Sequence, residues 1–269
     1  MTEDMFKKRF QYAQEIALRA GDMALDYFKK CSELKIEQKK NHQDLVSEAD
    51  KEIETFVQTC IADQYPEDNI LGEEDGLIDN QGDVTWVVDP IDGTYAFLHG
   101  IPFWCISIAA LHHGEPIFGV IVDPNHQEIY TAFKGEGAFC NGNPIYCLKD
   151  ATLQSASVAF GIDKGKKAEL AEKFIHESIK EGVHIARTYT CALNMAWTAA
   201  GRIMASFYPY VSSWDFCAGL ILIEEAGGRH NSPLKQNGLY EGGALLASAS
   251  DVYDELFDLC QMKELEQLK

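Results

Sequence analysis

The most informative part of this 269-residue chain is Val84-Thr85-Trp86-Val87-Val88-Asp89-Pro90-Ile91-Asp92-Gly93-Thr94. Its first five residues are apolar or β-branched, which predicts a buried strand. Pro90 has no N–H and cannot continue a central strand ladder, so the strand is expected to end where two carboxylates appear. Gly93 allows a close backbone approach, and Thr94 is predicted to begin a short helix.

These residue types suit a site that binds a metal ion and a phosphate. Asp89 and Asp92 supply the hard oxygen ligands that Mg²⁺ prefers. The N–H groups of Gly93 and Thr94 could receive a phosphate at the helix N-terminus. An Asp-Gly pair alone would indicate only a turn, but a second stretch of the chain repeats the pattern and favours a metal site.

That second stretch is a short apolar run at residues 70–71, followed by Gly72-Glu73-Glu74. Two strand ends would bring their carboxylates to the same edge of a sheet, which is where open sheets bind ligands. A third acid, Asp215, follows Trp214 at the predicted start of a helix. The sequence therefore predicts a dense group of carboxylates drawn from three separate segments.

These three segments resemble the three motifs of the inositol monophosphatase family. The resemblance continues in the family order at residues 44–50, 135–142 and 225–228. It implies a layered α/β fold, an α+β sandwich with alternating α-β-α-β-α layers. It also implies a Mg²⁺-dependent, lithium-sensitive phosphatase that hydrolyses a small phosphorylated alcohol and releases inorganic phosphate.

The resemblance further implies a ligand set for two or three Mg²⁺ ions. Glu73, Asp89 and the carbonyl of Ile91 would hold one ion. Asp89 would bridge to a second ion, held also by Asp92 and Asp215, and a weaker third ion would lie near Glu73. One ion would lower the pKa of a bound water, and another would stabilise the leaving oxygen.

The implied catalytic residues are Asp50, Glu73 and Thr94, with Asp50 and Thr94 orienting the attacking water. Local structure gives two of them another role that can coexist with this one. Ser47-x-x-Asp50 is a capping box for a second helix, and Thr94 is suited to cap the short helix that it begins. The predicted substrate-binding residues are Asp92, Gly93, Thr94, Asp215 and Tyr208.

The sequence leaves the substrate alcohol open. Inositol-preferring members carry an acid shortly before the Trp-Asp motif, but residues 206–211 contain none, and Tyr208 stands there instead. Tyr189-Thr190-Cys191 replaces a small Gly-Thr-Ala-like segment. Tyrosine rings favour a flatter or less polar alcohol. The candidates are inositol phosphate, sugar phosphates, fructose 1,6-bisphosphate, histidinol phosphate and 3′-phosphonucleotides, the last disfavoured by Tyr95.

Composition restricts the partners. Asp and Glu number 42 against 23 Lys and Arg, a net charge of −19, which disfavours nucleic acid because phosphate contacts need basic side chains. Lys39 or Lys40 would balance charge near the site or lie in a solvated loop. The alternative to a phosphatase is a protein of another functional class, a catalytically weak relative that acts as an acidic partner protein.

The chain's cysteines and N-terminal residues favour a cytoplasmic protein. Its eight cysteines form no Cys-x-x-Cys pair and are predicted to be reduced. Neither a signal peptide nor a membrane span is expected, so we expect a soluble protein. The resemblance also predicts a homodimer, to which the aromatic runs at 103–104 and 208–210 could contribute.

The pattern of predicted elements changes near residue 149 and divides the chain into two halves, and because no Gly/Ser linker separates them we expect the halves to pack as one unit. Residues 1–149 carry the metal-binding motifs, with helices at 5–31 and 47–65 and an antiparallel sheet over 104–134. Residues 150–269 alternate strands and helices, as an α/β arrangement does. The predicted elements of this second half are strand 156–160, helix 167–181, strand 183–187, helix 191–200, strand 203–208, helix 214–226, strand 244–248 and helix 251–265.

Overall fold

The structure is a computed structural model that describes residues 2–34, 36–38, 45–162 and 166–268. The helices are α1 (Glu3–Phe28), α2 (Glu48–Gln64), α3 (Thr94–Leu98), α4 (Lys166–Glu181), α5 (Ala192–Ala199), α6 (Ser213–Glu225), α7 (Gly238–Glu241), α8 (Tyr253–Leu259) and α9 (Met262–Leu265). The predictions for Lys39, Lys40 and residue 44 lie outside the described residues.

The strands are β1 (Ile36–Gln38), β2 (Leu45–Ser47), β3 (Asn69–Gly72), β4 (Gly76–Ile78), β5 (Val84–Asp92), β6 (Cys105–His112), β7 (Glu115–Asp123), β8 (Glu128–Phe133), β9 (Gly137–Cys140), β10 (Asn143–Ile145), β11 (Ser157–Phe160), β12 (His184–Ala186), β13 (Ala205–Val211), β14 (Gly228–His230) and β15 (Gly243–Ala249). Within the described ranges they form a two-stranded β1-β2 ribbon and two larger sheets.

The first large sheet has eight strands among the described residues, in the order β10-β9-β8-β7-β6-β5-β3-β4. Strands β3 and β5 are parallel, and the other neighbouring pairs are antiparallel. The sheet is buried on both faces. Along β5, Trp86 and Val88 pack in the core beneath α1 and α2, whereas Val87 belongs to the core on the opposite face, as the period of two along a strand requires.

The prediction that this strand ends before Pro90 is wrong, because β5 continues through Pro90 to Asp92. The reason is a bulge. Pairing with β3 stops at Val88, and pairing with β6 skips from Asp89 opposite Ser107 to Asp92 opposite Cys105. One extra residue is therefore accommodated in β5, and Pro90 occupies the gap where no ladder N–H is needed.

The second large sheet has five strands within the described residues, in the order β12-β11-β13-β15-β14. Helices α5 and α6 lie between the two sheets, because α5 contacts β7 and β15, and α6 contacts β5–β8 and β15. Gly119 on β7 allows this approach, since a Cβ there would collide with the carbonyl oxygen of Ala218 on α6. Helices α1 and α2 cover the outer face of the first sheet, and α4 and α8 that of the second. The predicted α-β-α-β-α layering is confirmed.

The predicted helix over 251–265 is wrong, because α8 ends at Leu259 and α9 begins at Met262. Gln261 between them has φ 54° in the left-handed region, a conformation that interrupts a right-handed helix.

The division of the chain into two halves between residues 149 and 150 stays a prediction. A single apolar core nevertheless joins Val87 and Ile121 of the first sheet to Phe207 and Leu246 of the second. None of the helices in the described part of the chain has the length and apolarity to cross a bilayer.

Candidate active site

The ends of β3 and β5 form one wall of a cavity. Gly72 pairs with Val88 across the two parallel strands, so Glu73 and Asp89 follow at the same edge of the sheet, as the sequence predicted. Helix α6 supplies Asp215 from its first turn, where Ser212 N–H donates to its Oδ2 at 3.1 Å. The cavity measures about 520 Å³, within the range of small-molecule sites. Every predicted site residue except Asp50 lines it.

Asp89, Asp92 and Asp215 form what we call the carboxylate cluster, in which one oxygen from each lies within 4.8 Å of the others. Asp89 is 1% exposed and Asp92 5%. Burial raises the pKa of Asp89 well above its usual value, and the charges of Glu73, Asp92 and Asp215 raise it further. The pKa of Asp215 is raised by burial and then by Asp92 and Glu73. Three carboxylates at this separation, two of them buried and Asp215 half-buried, require positive charge or bound protons.

The oxygens available here fit a divalent metal ion. Asp89 Oδ1 accepts the N–H of Ile91 at 3.0 Å, whereas Asp89 Oδ2 is buried and has no hydrogen-bond partner among the described residues. A buried oxygen without a partner is costly, and a cation would satisfy it. The donor set consists of carboxylates and the nearby Ile91 carbonyl, which are hard ligands suited to Mg²⁺ or Ca²⁺.

Asp92 is also held by the start of α5. Its carboxylate accepts the hydroxyl hydrogen of Thr190, the N–H of Cys191 at 3.2 Å and the N–H of Ala192 at 2.6 Å. Burial raises the pKa of Asp92 to about 6, and these hydrogen bonds oppose the rise. The sequence did not reveal these partners, because they lie about one hundred residues further along the chain.

Asp50 reaches the site through Thr94. Asp50 Oδ2 accepts Ser47 N–H at 2.8 Å and Ser47 Oγ at 2.7 Å, which completes the predicted capping box. Its other oxygen, Oδ1, lies 3.2 Å from Thr94 Oγ1, and that hydroxyl is also 3.1 Å from the Ile91 carbonyl. Burial raises the pKa of Asp50, and the hydrogen bonds from Ser47 oppose the rise. The capping role and a contact with the site therefore coexist.

Gly93 occupies a position that other residues would strain. Its φ is 100°, and a Cβ there would lie 2.8 Å from the Phe103 carbonyl oxygen. Gly93 is followed at once by α3, whose first residue is Thr94. The turn that the sequence predicted thus leads into Thr94, which lines the same cavity as the carboxylate cluster.

Tyr208 lines the cavity, but its hydroxyl is already engaged. It donates to the Thr190 carbonyl at 2.9 Å and accepts from Asn194 Nδ2 at 2.6 Å, and the residue is 8% exposed. Its ring can therefore shape the cavity while its hydroxyl holds the start of α5. A substrate-binding role for Tyr208 stays a prediction.

Sequence reasoning missed Glu54, which lies under the loop that carries Glu73. Its carboxylate accepts the N–H of Glu74 at 3.0 Å and the N–H of Asp75 at 2.8 Å, and Gln58 donates to it at 2.9 Å. The side chain is fully buried, and burial raises its pKa to about 7. A glutamate on the apolar face of α2, one turn after Asp50, was the available signal.

Comparison with known proteins agrees with this geometry. A profile of the inositol monophosphatase family matches residues 7–264. A protein named Nus factor SuhB from Xylella fastidiosa is 35% identical over 214 residues, 79% of this chain and 77% of that protein. An inositol-1-monophosphatase from Bacillus subtilis is 33% identical over 234 residues, 84% of this chain and 86% of the relative.

Solved structures give the same result. The crystal structure of the extragenic suppressor protein suhB from Bartonella henselae superposes with a TM-score of 0.86 at 27% identity, covering 93% of this chain and 97% of the other. The family match spans both large sheets and all segments of the carboxylate cluster. The chain therefore belongs to the inositol monophosphatase family.

Proposed function

We propose that this protein is a Mg²⁺-dependent phosphomonoesterase that hydrolyses a small phosphorylated alcohol and releases inorganic phosphate. The observation that carries the proposal is the carboxylate cluster, with the unpartnered Asp89 Oδ2 in a cavity that also contains Thr94. A protein of net charge −19 needs cations in its site to attract a phosphate. Family membership and the Bacillus subtilis relative's name support the reaction class.

Two or three Mg²⁺ ions would be held by Glu73, Asp89, the Ile91 carbonyl, Asp92 and Asp215; when bound, they supply the positive charge that attracts phosphate and lowers the pKa of water. The chain's own groups position the reactants. The Thr94 hydroxyl can donate to Asp50 Oδ1 and then has lone pairs with which to accept a hydrogen bond from the attacking water. Because burial raises the pKa of Asp50, its carboxylate is suited to take up the proton that Thr94 relays.

The phosphate itself would be bound by the backbone. The N–H groups of Gly93 and Thr94 lie at the start of α3. Because the left-handed conformation of Gly93 is already fixed, no reorganisation free energy is needed to orient these groups when the phosphate binds. Glu73, by the same proposal, holds the water on the side of the phosphate opposite the leaving alcohol. In-line attack by the water then forms a new phosphorus–oxygen bond and breaks the bond between phosphorus and the alcohol oxygen. The departing alcohol oxygen takes a proton from a solvent water, and Asp50 later returns to solvent the proton that it received through Thr94.

The test is phosphate release from a simple alkyl monoester, measured with Mg²⁺ and with EDTA. We expect activity that requires the divalent ion and that is lost in Thr94→Val, which keeps the shape and removes the hydroxyl. Ser213→Ala is the matched control, because its hydroxyl donates to the Leu239 carbonyl and takes no part in the proposed chemistry. Equal turnover with and without divalent ions would contradict the proposal.

A second candidate function comes from the name of the Xylella fastidiosa relative, Nus factor SuhB. It corresponds to the alternative of an acidic partner protein. An Asp89→Asn variant separates the two, because a role that depends on the protein surface would survive in it and a role that depends on hydrolysis would not. We also propose that the protein is cytoplasmic and forms a homodimer, as the resemblance to the family led us to expect.

A further inference from the structure

The outer part of the cavity is lined by exposed tyrosine rings. Tyr95, Tyr189 and Tyr210 are 38%, 42% and 43% exposed, and all three line the same cavity as the carboxylate cluster. A single exposed aromatic ring needs no explanation, but several around one cavity mark a surface that binds something.

The rings are positioned without a ligand. Tyr189 stacks on Tyr95 with the ring planes 19° apart and the centroids 5.2 Å apart, and Tyr95 stacks on His99 at 4.1 Å and 20°. Tyr189 has no other ring partner among the described residues, so one face of it carries no aromatic neighbour. A planar group that enters the cavity can extend this stack at little entropic cost, because the rings are already ordered.

The cavity offers few acceptors to a polyol. Among the described residues that line it, the acids are Glu73 and the three members of the carboxylate cluster, and no Asn or Gln is present. The hydroxyls of Thr190 and Tyr208 are engaged with Asp92 and with the Thr190 carbonyl. A site with few side-chain acceptors beyond these four acids favours an alcohol with few hydroxyls over a polyol, whose hydroxyls would be left unpaired.

The cavity also has a basic side chain, that of Arg187, among its lining residues. Arg187 is exposed and is the basic residue among the described lining residues. It makes no hydrogen bond or ion pair with any residue in the described part of the chain, although Asp and Glu outnumber Lys and Arg by 42 to 23. A guanidinium presents several donors in one plane, a geometry that suits a carboxylate or phosphate.

We propose that the substrate's alcohol carries a planar ring, which stacks on Tyr189, and an anionic group, which pairs with Arg187. This rests on the proposed function, because the scissile phosphate must occupy the carboxylate cluster. Tyr189 and Arg187 are two residues apart in the chain, are both exposed and line the same cavity as the carboxylate cluster. A single ligand whose phosphate occupies the cluster can therefore contact both side chains.

The experiment compares four monoesters: benzyl phosphate, cyclohexylmethyl phosphate, 4-carboxybenzyl phosphate and myo-inositol 1-phosphate. The first two differ in ring planarity and have similar leaving alcohols. We expect kcat/KM to favour benzyl over cyclohexylmethyl phosphate by about two- to tenfold, the range of an aromatic pair. 4-Carboxybenzyl phosphate should be the best substrate, with inositol 1-phosphate the poorest.

Variants assign each preference to a residue. Tyr189→Leu keeps apolar bulk and should abolish the preference for the planar ring. Arg187→Gln should lower kcat/KM for the carboxylated ester alone, by about fivefold, as expected for an exposed ion pair. Tyr146→Leu, at a 63% exposed tyrosine outside the cavity, is the matched control. Calorimetric binding of benzylphosphonate and cyclohexylmethylphosphonate should show the same ring preference without turnover.

The outcomes separate this inference from the proposed function. If all four esters are hydrolysed and benzyl phosphate has no advantage, or if its advantage persists in Tyr189→Leu, the inference is wrong and the phosphatase proposal stands. A preference for inositol 1-phosphate also overturns it. If none of the esters is hydrolysed with Mg²⁺, the proposed function fails, and the inference fails with it.

Discussion

Replacing Asp89 with Asn removes one buried charge from the carboxylate cluster and changes the side-chain volume very little. The amide oxygen can keep the 3.0 Å hydrogen bond from Ile91 N–H. The amide NH₂ would then stand at the position of Oδ2, which has no partner in the described structure, and could donate to Asp92 or Asp215. We expect a folded protein without phosphatase activity, because an amide cannot replace an anionic ligand shared between ions.

The magnitude follows from the separation of the charges. The oxygens of the cluster lie within 4.8 Å of one another, and two unit charges at that upper limit repel by about 3.5 kcal/mol at an effective dielectric constant of about 20 and by about 0.9 kcal/mol in water. Because the pKa values of Asp89 and Asp215 are raised, the folded protein holds protons at the cluster to a higher pH than the unfolded chain does, and these protons relieve part of the repulsion. We therefore expect the metal-free variant to be more stable than wild type by about 1–3 kcal/mol.

The raised pKa values also determine how the stability difference between the variant and wild type changes with pH. A raised pKa in the folded state means that the folded protein binds more protons than the unfolded chain, so wild-type stability falls as pH rises above the unfolded value. The amide that replaces the Asp89 carboxyl cannot titrate. The stability gain of the variant should accordingly be larger at about pH 8 than at about pH 5.

Urea unfolding in EDTA and in Mg²⁺ measures both effects, and phosphate release measures activity. Mg²⁺ should stabilise wild type strongly and the variant little. The exposed Asp63→Asn, in α2 and away from the cavity, is the control for loss of one negative charge. A metal-free variant less stable than wild type at the higher pH, or one with a normal Mg²⁺ response, would refute the reasoning.

Four further results are expected. Glu54→Gln should lose the part of the wild-type decline in stability between about pH 4.5 and about pH 7 that Glu54 contributes, at most about 3 kcal/mol, since the pKa of Glu54 is raised to about 7; a wild-type-minus-variant difference in urea stability that does not change with pH would contradict this. Gly93→Ala should cost about 2 kcal/mol or more in thermal unfolding, and Gly76→Ala, also at positive φ but with open space around it, should cost less. Li⁺ at millimolar concentration should inhibit phosphate release, an idea that fails if Mg²⁺ activates normally and saturating substrate shows no Li⁺ effect. Light scattering at micromolar concentration should give a dimer mass; a monomer mass would reject the dimer.

The gathering of Glu73, Asp89 and Asp215 could be predicted from sequence because each follows a recognisable boundary of a strand or helix. Apolar runs identify strand ends, and parallel strands bring their ends together. The Ser47–Asp50 capping box was equally visible, because its two residues are local. Local patterns of this kind predict both the strand or helix and the position of the carboxylate at its end.

Long-range partners could not be predicted in this way. Nothing near Asp92 indicates that α5 will donate to it, and nothing near Glu74 indicates that Glu54 lies beneath it. The positive φ of Gln261, which divides the last predicted helix, has no signal in a residue that favours helices. The bulge at Pro90 arises from pairing with β6, so the length of β5 depended on a neighbour that local sequence does not specify.

The dual bonding of Asp92 has a mechanical consequence. The residue belongs to the first sheet, but its carboxylate is clamped by Thr190, Cys191 and Ala192, which lead into a helix sandwiched against the second sheet. Any sliding of one layer over the other must therefore move an oxygen of the cluster. A substitution in β13 or β15 that shifts α5 would therefore also move the Asp92 carboxylate, and with it one member of the carboxylate cluster.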